Sequence, residues 1–138
     1  MKVIYPEDYN PIREYWEKIQ SGEEIVCGKI RRTYKKIVYD MENPGEYFYS
    51  HKRAKQIIEF FENYCAPSKC SDGNTNVRLE LWEKALLATV FGFVDQRGLR
   101  KYREAILIVG KKNGKSLLAS GVGNYMLVAD GESGPEVY

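Results

Sequence analysis

Lys115 and Ser116 stand side by side, preceded by Gly110-Lys111-Lys112-Asn113-Gly114. An ammonium beside a hydroxyl, behind a glycine, suits a polyphosphate and its magnesium ion. Gly114 lets the backbone come close where a Cβ would obstruct it. The first amides of a following helix have no intrahelical acceptor, so they point at the anion, and the helix dipole adds to the attraction. Lys115 reaches the β- and γ-phosphates as a point charge. The Ser116 hydroxyl offers one oxygen to Mg²⁺, an ion that prefers oxygen ligands. The spacing follows G-x-x-x-x-G-K-[ST] except at the first position, where Val109 replaces glycine. The plainer alternative is a βα turn that merely contains Gly-Lys-Ser.

Such a loop must hang between a strand and a helix. Residues 105–109 are five apolar residues, four of them branched, and read as a strand buried on both faces. Residues 117–127 have a helical pattern, with Leu117, Leu118, Gly121, Tyr125 and Val128 on or near one side. The expected fold class is α/β: an N-terminal helical region, residues 1–70, then the start of a parallel sheet over residues 77–138. A parallel strand needs neighbours on both edges. The chain offers only a short aromatic piece at 46–49 and the beginning of a strand at 136–138. The expectation is therefore the front part of a longer protein, with sheet edges covered by self-association or a swap. A well-behaved monomer in size-exclusion chromatography at high concentration contradicts the latter.

The bulk numbers narrow the class. A chain of 138 residues suffices for one domain with a real core. With 43% hydrophobic and 29% charged residues, it reads as soluble and globular, not disordered. A net charge of +2 gives no global basic field. No apolar run approaches a membrane span, and Pro6 interrupts the N-terminus too early for a signal peptide, so a cytoplasmic protein is expected. Cys27, Cys65 and Cys70 read as free thiols. With His51 the only histidine and no second close cysteine pair, neither zinc nor a Cys-His nucleophile is supported.

Residues 1–9 read as an extended arm. Asn10-Pro11 starts a helix carrying Ile12, Tyr15, Trp16 and Ile19, and Ser21-Gly22 ends it. A second helix is expected from about Glu23 to Met41, with Glu23 and Glu24 in its first turn and Val26, Ile30, Thr33, Tyr34, Ile37 and Val38 as its apolar side. Its run of Lys29, Arg31, Arg32, Lys35 and Lys36 reads as a solvated face. Ser50 caps a third helix with Ala54, Ile57, Ile58, Phe61 and Tyr64 as core. Residues 66–76 read as a loop. Residues 79–94 form a fourth helix, apolar over more than half its circumference and largely buried. Residues 92–103 read as a basic connector with Arg97, Arg100, Lys101 and Arg103.

Leu79-Glu80-Leu81-Trp82-Glu83-Lys84, Phe91-Gly92-Phe93, Gly98 through Ala105, Lys112 through Ser116, Ala129-Asp130-Gly131-Glu132 and Glu136-Val137-Tyr138 occur in that order. Together they resemble the large terminase subunit of tailed bacteriophages, closely over residues 77–138. The resemblance implies a P-loop NTPase of the RecA/ASCE-like kind, incomplete in this chain. It implies a motor that uses ATP and Mg²⁺ to drive double-stranded viral DNA into a capsid in the bacterial host cytoplasm. It also implies a C-terminal nuclease in the full-length protein, a homo-oligomeric ring on the portal protein, and a small terminase subunit that recognises the DNA. Gly110, Lys112, Asn113, Gly114, Lys115, Ser116 and Leu117 then form the nucleotide cradle, with Ser116 on the metal. Lys111 falls where the family has an arginine that stabilises transition-state charge; lysine keeps the charge and loses the planar fork. Glu83 falls where relatives carry a glutamine that reads the adenine edge; a carboxylate accepts but does not donate.

The strand that positions the attacking water lies, by that resemblance, beyond Tyr138, so very slow ATP hydrolysis or none is expected of this chain. A turnover near one per second or more, abolished by Lys115→Ala, contradicts that. Two other readings remain open at this point. One is a different enzyme with a phosphate-binding loop, such as a small kinase. The other is a non-enzymatic module that holds the portal or small subunit, distinguished by failure to bind nucleotide. For DNA, the connector cations and the second-helix basics are the candidates. Their contacts would be to phosphates, independent of sequence and weakened by salt.

Overall fold

The computed structural model describes residues 2–67 and 76–138. The loop expected at 66–76, with Cys70, falls mostly outside them. Five helices and one small sheet follow in the order α1 (Pro11–Ser21), α2 (Gly28–Glu42), β1 (Phe48–Tyr49), α3 (His51–Tyr64), α4 (Leu81–Gly92), β2 (Phe93–Val94) and α5 (Lys115–Val128). No helix among the described residues is long and apolar enough to cross a membrane.

Local chemistry sets most of the helix ends. The Asn10 side chain accepts the Arg13 N–H at 3.1 Å, Pro11 opens α1, and Gly22 closes it in the left-handed region, φ 82°. Ser50 accepts the Arg53 N–H at the head of α3. At the head of α4, the Glu83 carboxylate accepts the Glu80 N–H at 2.8 Å, half of a capping box.

Helix α4 is the centre of the packing. It lies against α3 and α1, burying Ala85, Leu87, Ala88 and Phe91. Opposite stand Ile12 and Ile19 of α1 and Ile57, Ile58 and Phe61 of α3, all fully buried in the same core. A helix apolar nearly all round can be placed only in such a position. Helix α2 contributes Tyr34, Ile37 and Val38, with the Tyr34 ring edge-on to Tyr15 at 4.9 Å.

Glu62, 1% exposed, joins four segments under this core. It accepts the Tyr5 hydroxyl of the N-terminal arm at 2.6 Å and the Leu79 N–H at 3.1 Å, and Lys84 of α4 lies 3.5 Å away. The arm itself runs along α3, with Val3 exchanging hydrogen bonds with the Asn63 side chain.

The sheet is antiparallel, Phe48 opposite Val94 and Tyr49 opposite Phe93. After β2 the chain turns back on itself, where a basic connector was expected. The Gly98 N–H donates to the Asp95 carbonyl, and Lys101 N–H to the Phe93 carbonyl, both at 2.9 Å. Asp at the first and Gly at the fourth position suit a tight turn. The Asp95 carboxylate also accepts the Arg97 and Leu99 N–H groups at 2.9 Å each. These bonds, the Leu99 amide first, hold its carboxyl below the usual range.

Several expectations are corrected. Residues 105–109 form no strand and are not buried on both faces: Ile106 and Ile108 are each 90% exposed. No parallel sheet is present among the described residues, whose only sheet is the β1–β2 pair. A strand buried on both faces exists only where other strands flank it, and none lies beside 105–109. Residues 136–138 are likewise not a strand, and Tyr138 is exposed. The architecture is mixed, mainly helical with a two-stranded sheet, consistent with an incomplete α/β domain. Helix α2 begins at Gly28, not near Glu23; Glu23 instead pairs with Lys18 at 2.8 Å at the end of α1, so no acidic residue stands in the first turn of α2. Ile30, Thr33 and Tyr64 are exposed, not core.

Helix α5 rests on the core through Gly121. A Cβ there would lie 2.2 Å from Cε1 of Phe61, whose ring is fully buried. Glycine costs a helix interior about 1 kcal/mol relative to alanine, so its presence here follows from the close approach. Gly121→Ala is expected to lower stability by about 2 kcal/mol net, since overpacking outweighs the gain in helix propensity. Urea denaturation checks this; an unchanged or raised midpoint contradicts the packing described.

Candidate functional site

The Gly-Lys-Ser segment stands at a helix mouth. Gly114, φ 73°, is the N-cap of α5, and the Leu118 N–H makes the first helical bond, to the Gly114 carbonyl at 2.9 Å. The amides of Lys115, Ser116 and Leu117 precede that bond and have no intrahelical acceptor. Lys112 has φ 63°, the one non-glycine residue with positive φ among the described residues. Lysine rarely adopts this region, at a cost of about 1–2 kcal/mol. With Gly114 also left-handed and Asn113 not, the loop alternates in hand, as do backbone nests that bind anions.

The side chains add charge and leave it accessible. Lys111, Lys112, Lys115 and Ser116 are all exposed. None of the three lysines has a carboxylate partner within the described residues. The Lys115 ammonium folds back to the Val109 carbonyl at 3.4 Å, a long bond to a neutral group. The Asn113 amide reaches the Lys111 carbonyl at 3.4 Å and lies 3.1 Å from where a Cβ on Gly110 would be. Leu117 is half-buried, and Leu118 anchors the first turn of α5 in the core.

Glu83 is brought to this loop from the other helix. Its Oε1 lies 3.4 Å from the position of a Cβ on Gly114. Its Oε2 is committed to the Glu80 N–H. Burial pushes the Glu83 carboxyl up, and the bond from the Glu80 amide opposes that rise. The structure thus places Glu83 beside the loop, yet with one oxygen already engaged in capping α4.

A cleft of about 430 Å³ lies between α4 and α5. Leu86 and Val90 form one wall, Leu118 and Val122 the other, and Leu107 closes a side; Lys115 also lines it. Leu107 thereby faces the cleft while its neighbours Ile106 and Ile108 face outward, the alternation of an extended segment.

The cations expected to meet DNA behave differently from one another. Arg97 pairs with Asp95 at 3.0 Å, Lys101 with Asp40 of α2 at 2.8 Å, and Arg100 with Asp130. Burial is the largest single influence on Lys101 and works against its charge, but the bond to Asp40, the Asp40 charge and Tyr102 together outweigh it, and the pKa is raised. Arg103 alone of the four has no carboxylate partner among the described residues. In α2, Lys29, Arg31, Arg32, Lys35 and Lys36 are exposed, as a solvated face should be. Sequence reasoning missed the Asp95–Gly98 turn, although Asp and Gly three residues apart signal one. It also missed Arg53, which lies beside that turn.

No curated protein and no solved structure matches the chain. A family model does, and it covers α4, the hairpin, the loop and α5. Residues 81–138 match the terminase large subunit, ATPase domain, and this match supports assigning that part of the chain to a terminase large subunit.

Proposed function

We propose that residues 77–138 begin the nucleotide-binding part of a DNA-packaging ATPase, and that the loop at 110–117 holds ATP with Mg²⁺. The observation that carries this is a cation and a hydroxyl, both exposed, at the mouth of a capped helix. The helix amides without acceptors and the positive charge of the loop's three lysines both favour a triphosphate.

The residues fit the metal as well as the nucleotide. Ser116 offers a neutral oxygen at the start of α5, and the first amides of α5 are free to meet phosphate oxygens beside it. Ser116 would hold Mg²⁺ there, and the ion when bound would supply positive charge against the negative charge developing on the phosphates. Lys115 holds the terminal phosphates in position. Lys111 stands at the edge of the loop as a second positive charge. Leu117 and Leu118 root the cradle in the core, so the amides stay aimed at the anion.

The full-length assembly belongs to the same proposal. Double-stranded DNA is its cargo, held through phosphates and without base readout. The portal protein and small terminase subunit are its partners, and the working form is a ring. Helices α1 and α3 support α4, and through it the position of Glu83.

The test is ATP binding by calorimetry with and without Mg²⁺. The chain should bind about tenfold more tightly with the metal, and Ser116→Ala should bring the two affinities together, since one oxygen ligand is lost. Equal affinities in the unaltered chain, or no effect of Ser116→Ala, overturn the metal role.

A further inference from the structure

A second cavity, of about 410 Å³, opens between α3, the hairpin after β2 and the end of α5. No residue of the 110–117 loop lines it. Arg53, Arg100 and Arg103 do, together with Asp130 and Glu132. We propose that this cavity receives one phosphate of a duplex DNA backbone, with Arg53 and Arg103 as the contacting residues.

The charges in the cavity divide unequally. Arg100 and Asp130 neutralise each other. Arg53 and Arg103 then face a single carboxylate, Glu132, and neither has a carboxylate partner among the described residues. A guanidinium fork matches two oxygens of a phosphate better than an ammonium does. Arg53 also approaches the hairpin backbone closely: its Nη2 lies 3.2 Å from where a Cβ on Gly98 would stand. The bare glycine, φ 82°, makes the room that the guanidinium occupies. Any other residue at 98 would carry backbone strain at that φ and would displace the guanidinium by a few tenths of an ångström.

The walls also say which part of a nucleic acid fits. A base needs an open aromatic face. The Phe91 ring is covered by the Arg100 guanidinium, 5.2 Å from its centroid. Tyr125 is buried, edge-on to Phe60 at 5.3 Å and to Phe91 at 5.5 Å. The cavity therefore has cations to offer and no free ring, which selects the backbone and leaves the bases in their stack. The choice of duplex DNA rests on the packaging role proposed above.

The test is fluorescence anisotropy of a short mixed-sequence duplex over a range of salt, with the whole chain. Arg53→Gln and Arg103→Gln should each weaken binding about fivefold to tenfold and make the salt dependence shallower by about one unit of slope. Arg53→Lys should recover part of the loss. Arg97→Gln, on the same hairpin but paired with Asp95 outside the cavity, should bind as the unaltered chain does. Inorganic phosphate serves as the second probe: the reading expects it to compete only weakly. Unchanged affinity and slope in the double variant overturn the proposal. So does an equal loss in Arg97→Gln, or phosphate binding at the cavity without duplex binding. ATP binding is measured in parallel. Duplex binding that ignores Arg53 and Arg103 while ATP binding stays intact removes the cavity proposal alone. Loss of ATP binding with the arginine effects preserved removes the nucleotide reading alone.

Discussion

Lys115→Ala is expected to weaken ATP binding roughly 10- to 100-fold, the value of one hydrogen bond between a charged donor and a phosphate. Lys115 is exposed, stands one residue beyond the helix N-cap, and its side chain's only hydrogen bond among the described residues is the long one to Val109. Nothing in the fold depends on it, so stability should change by no more than about 0.5 kcal/mol. Binding and folding can therefore be separated in one variant. Calorimetry with ATP and Mg²⁺ reads the first, and urea denaturation the second. Lys115→Arg should recover only part of the affinity, because a planar fork replaces a compact charge in a loop shaped around the latter. Unaltered affinity in Lys115→Ala removes the lysine from the site. A matching fall in stability assigns it to the scaffold.

Glu62→Ala is expected to cost about 3–5 kcal/mol, the range for removing one member of a buried charged network. Total stability of a domain is about 5–15 kcal/mol, so much of the folded population is at risk. The Tyr5 hydroxyl and the Leu79 N–H lose their acceptor, and the Lys84 ammonium, mostly covered, loses its counter-charge. Those losses fall on three segments at once: the N-terminal arm, the approach to α4, and α4 itself. Glu62→Gln keeps one acceptor for the Leu79 amide and should lose less. Tyr5→Phe removes a single donor and should cost about 1 kcal/mol. Urea denaturation of the three variants ranks them. A loss under about 1 kcal/mol in Glu62→Ala shows that the network is not cooperative.

The helices were legible where the sequence carried both a stripe and a cap. Asn10-Pro11 with Gly22, and Ser50 with the Ala54, Ile57, Ile58 and Phe61 stripe, fix α1 and α3 closely. The start of α2 was not legible because Glu23 and Glu24 look like first-turn acids, while the chain uses Glu23 to reach back to Lys18. The 105–109 segment misled more deeply. Its composition states what environment the residues prefer, and only neighbouring strands could supply it. Glu62 was invisible as a hub, since one glutamate in an amphipathic helix looks like any solvated residue. The Gly114-Lys115-Ser116 helix mouth was legible, because the glycine and the following apolar stripe dictate it locally. The approach of Glu83 to Gly114 was not read from spacing; it arises from how α4 and α5 pack.

Helix α5 touches the core through Leu118, Gly121 and Tyr125, four, seven and eleven residues along from Gly114. At 1.5 Å per residue the first of these is about 6 Å from the helix mouth and the Phe61 contact about 10 Å, so the mouth is tied down close to its end. A tilt of about 10° about the Phe61 contact would move the mouth by roughly 2 Å, and Leu118 would have to leave its place to allow it. A shift of that size is enough to part Gly114 from Glu83, or to press them together. One leucine and one glycine against the same core thus set the tolerance of everything mounted at that end.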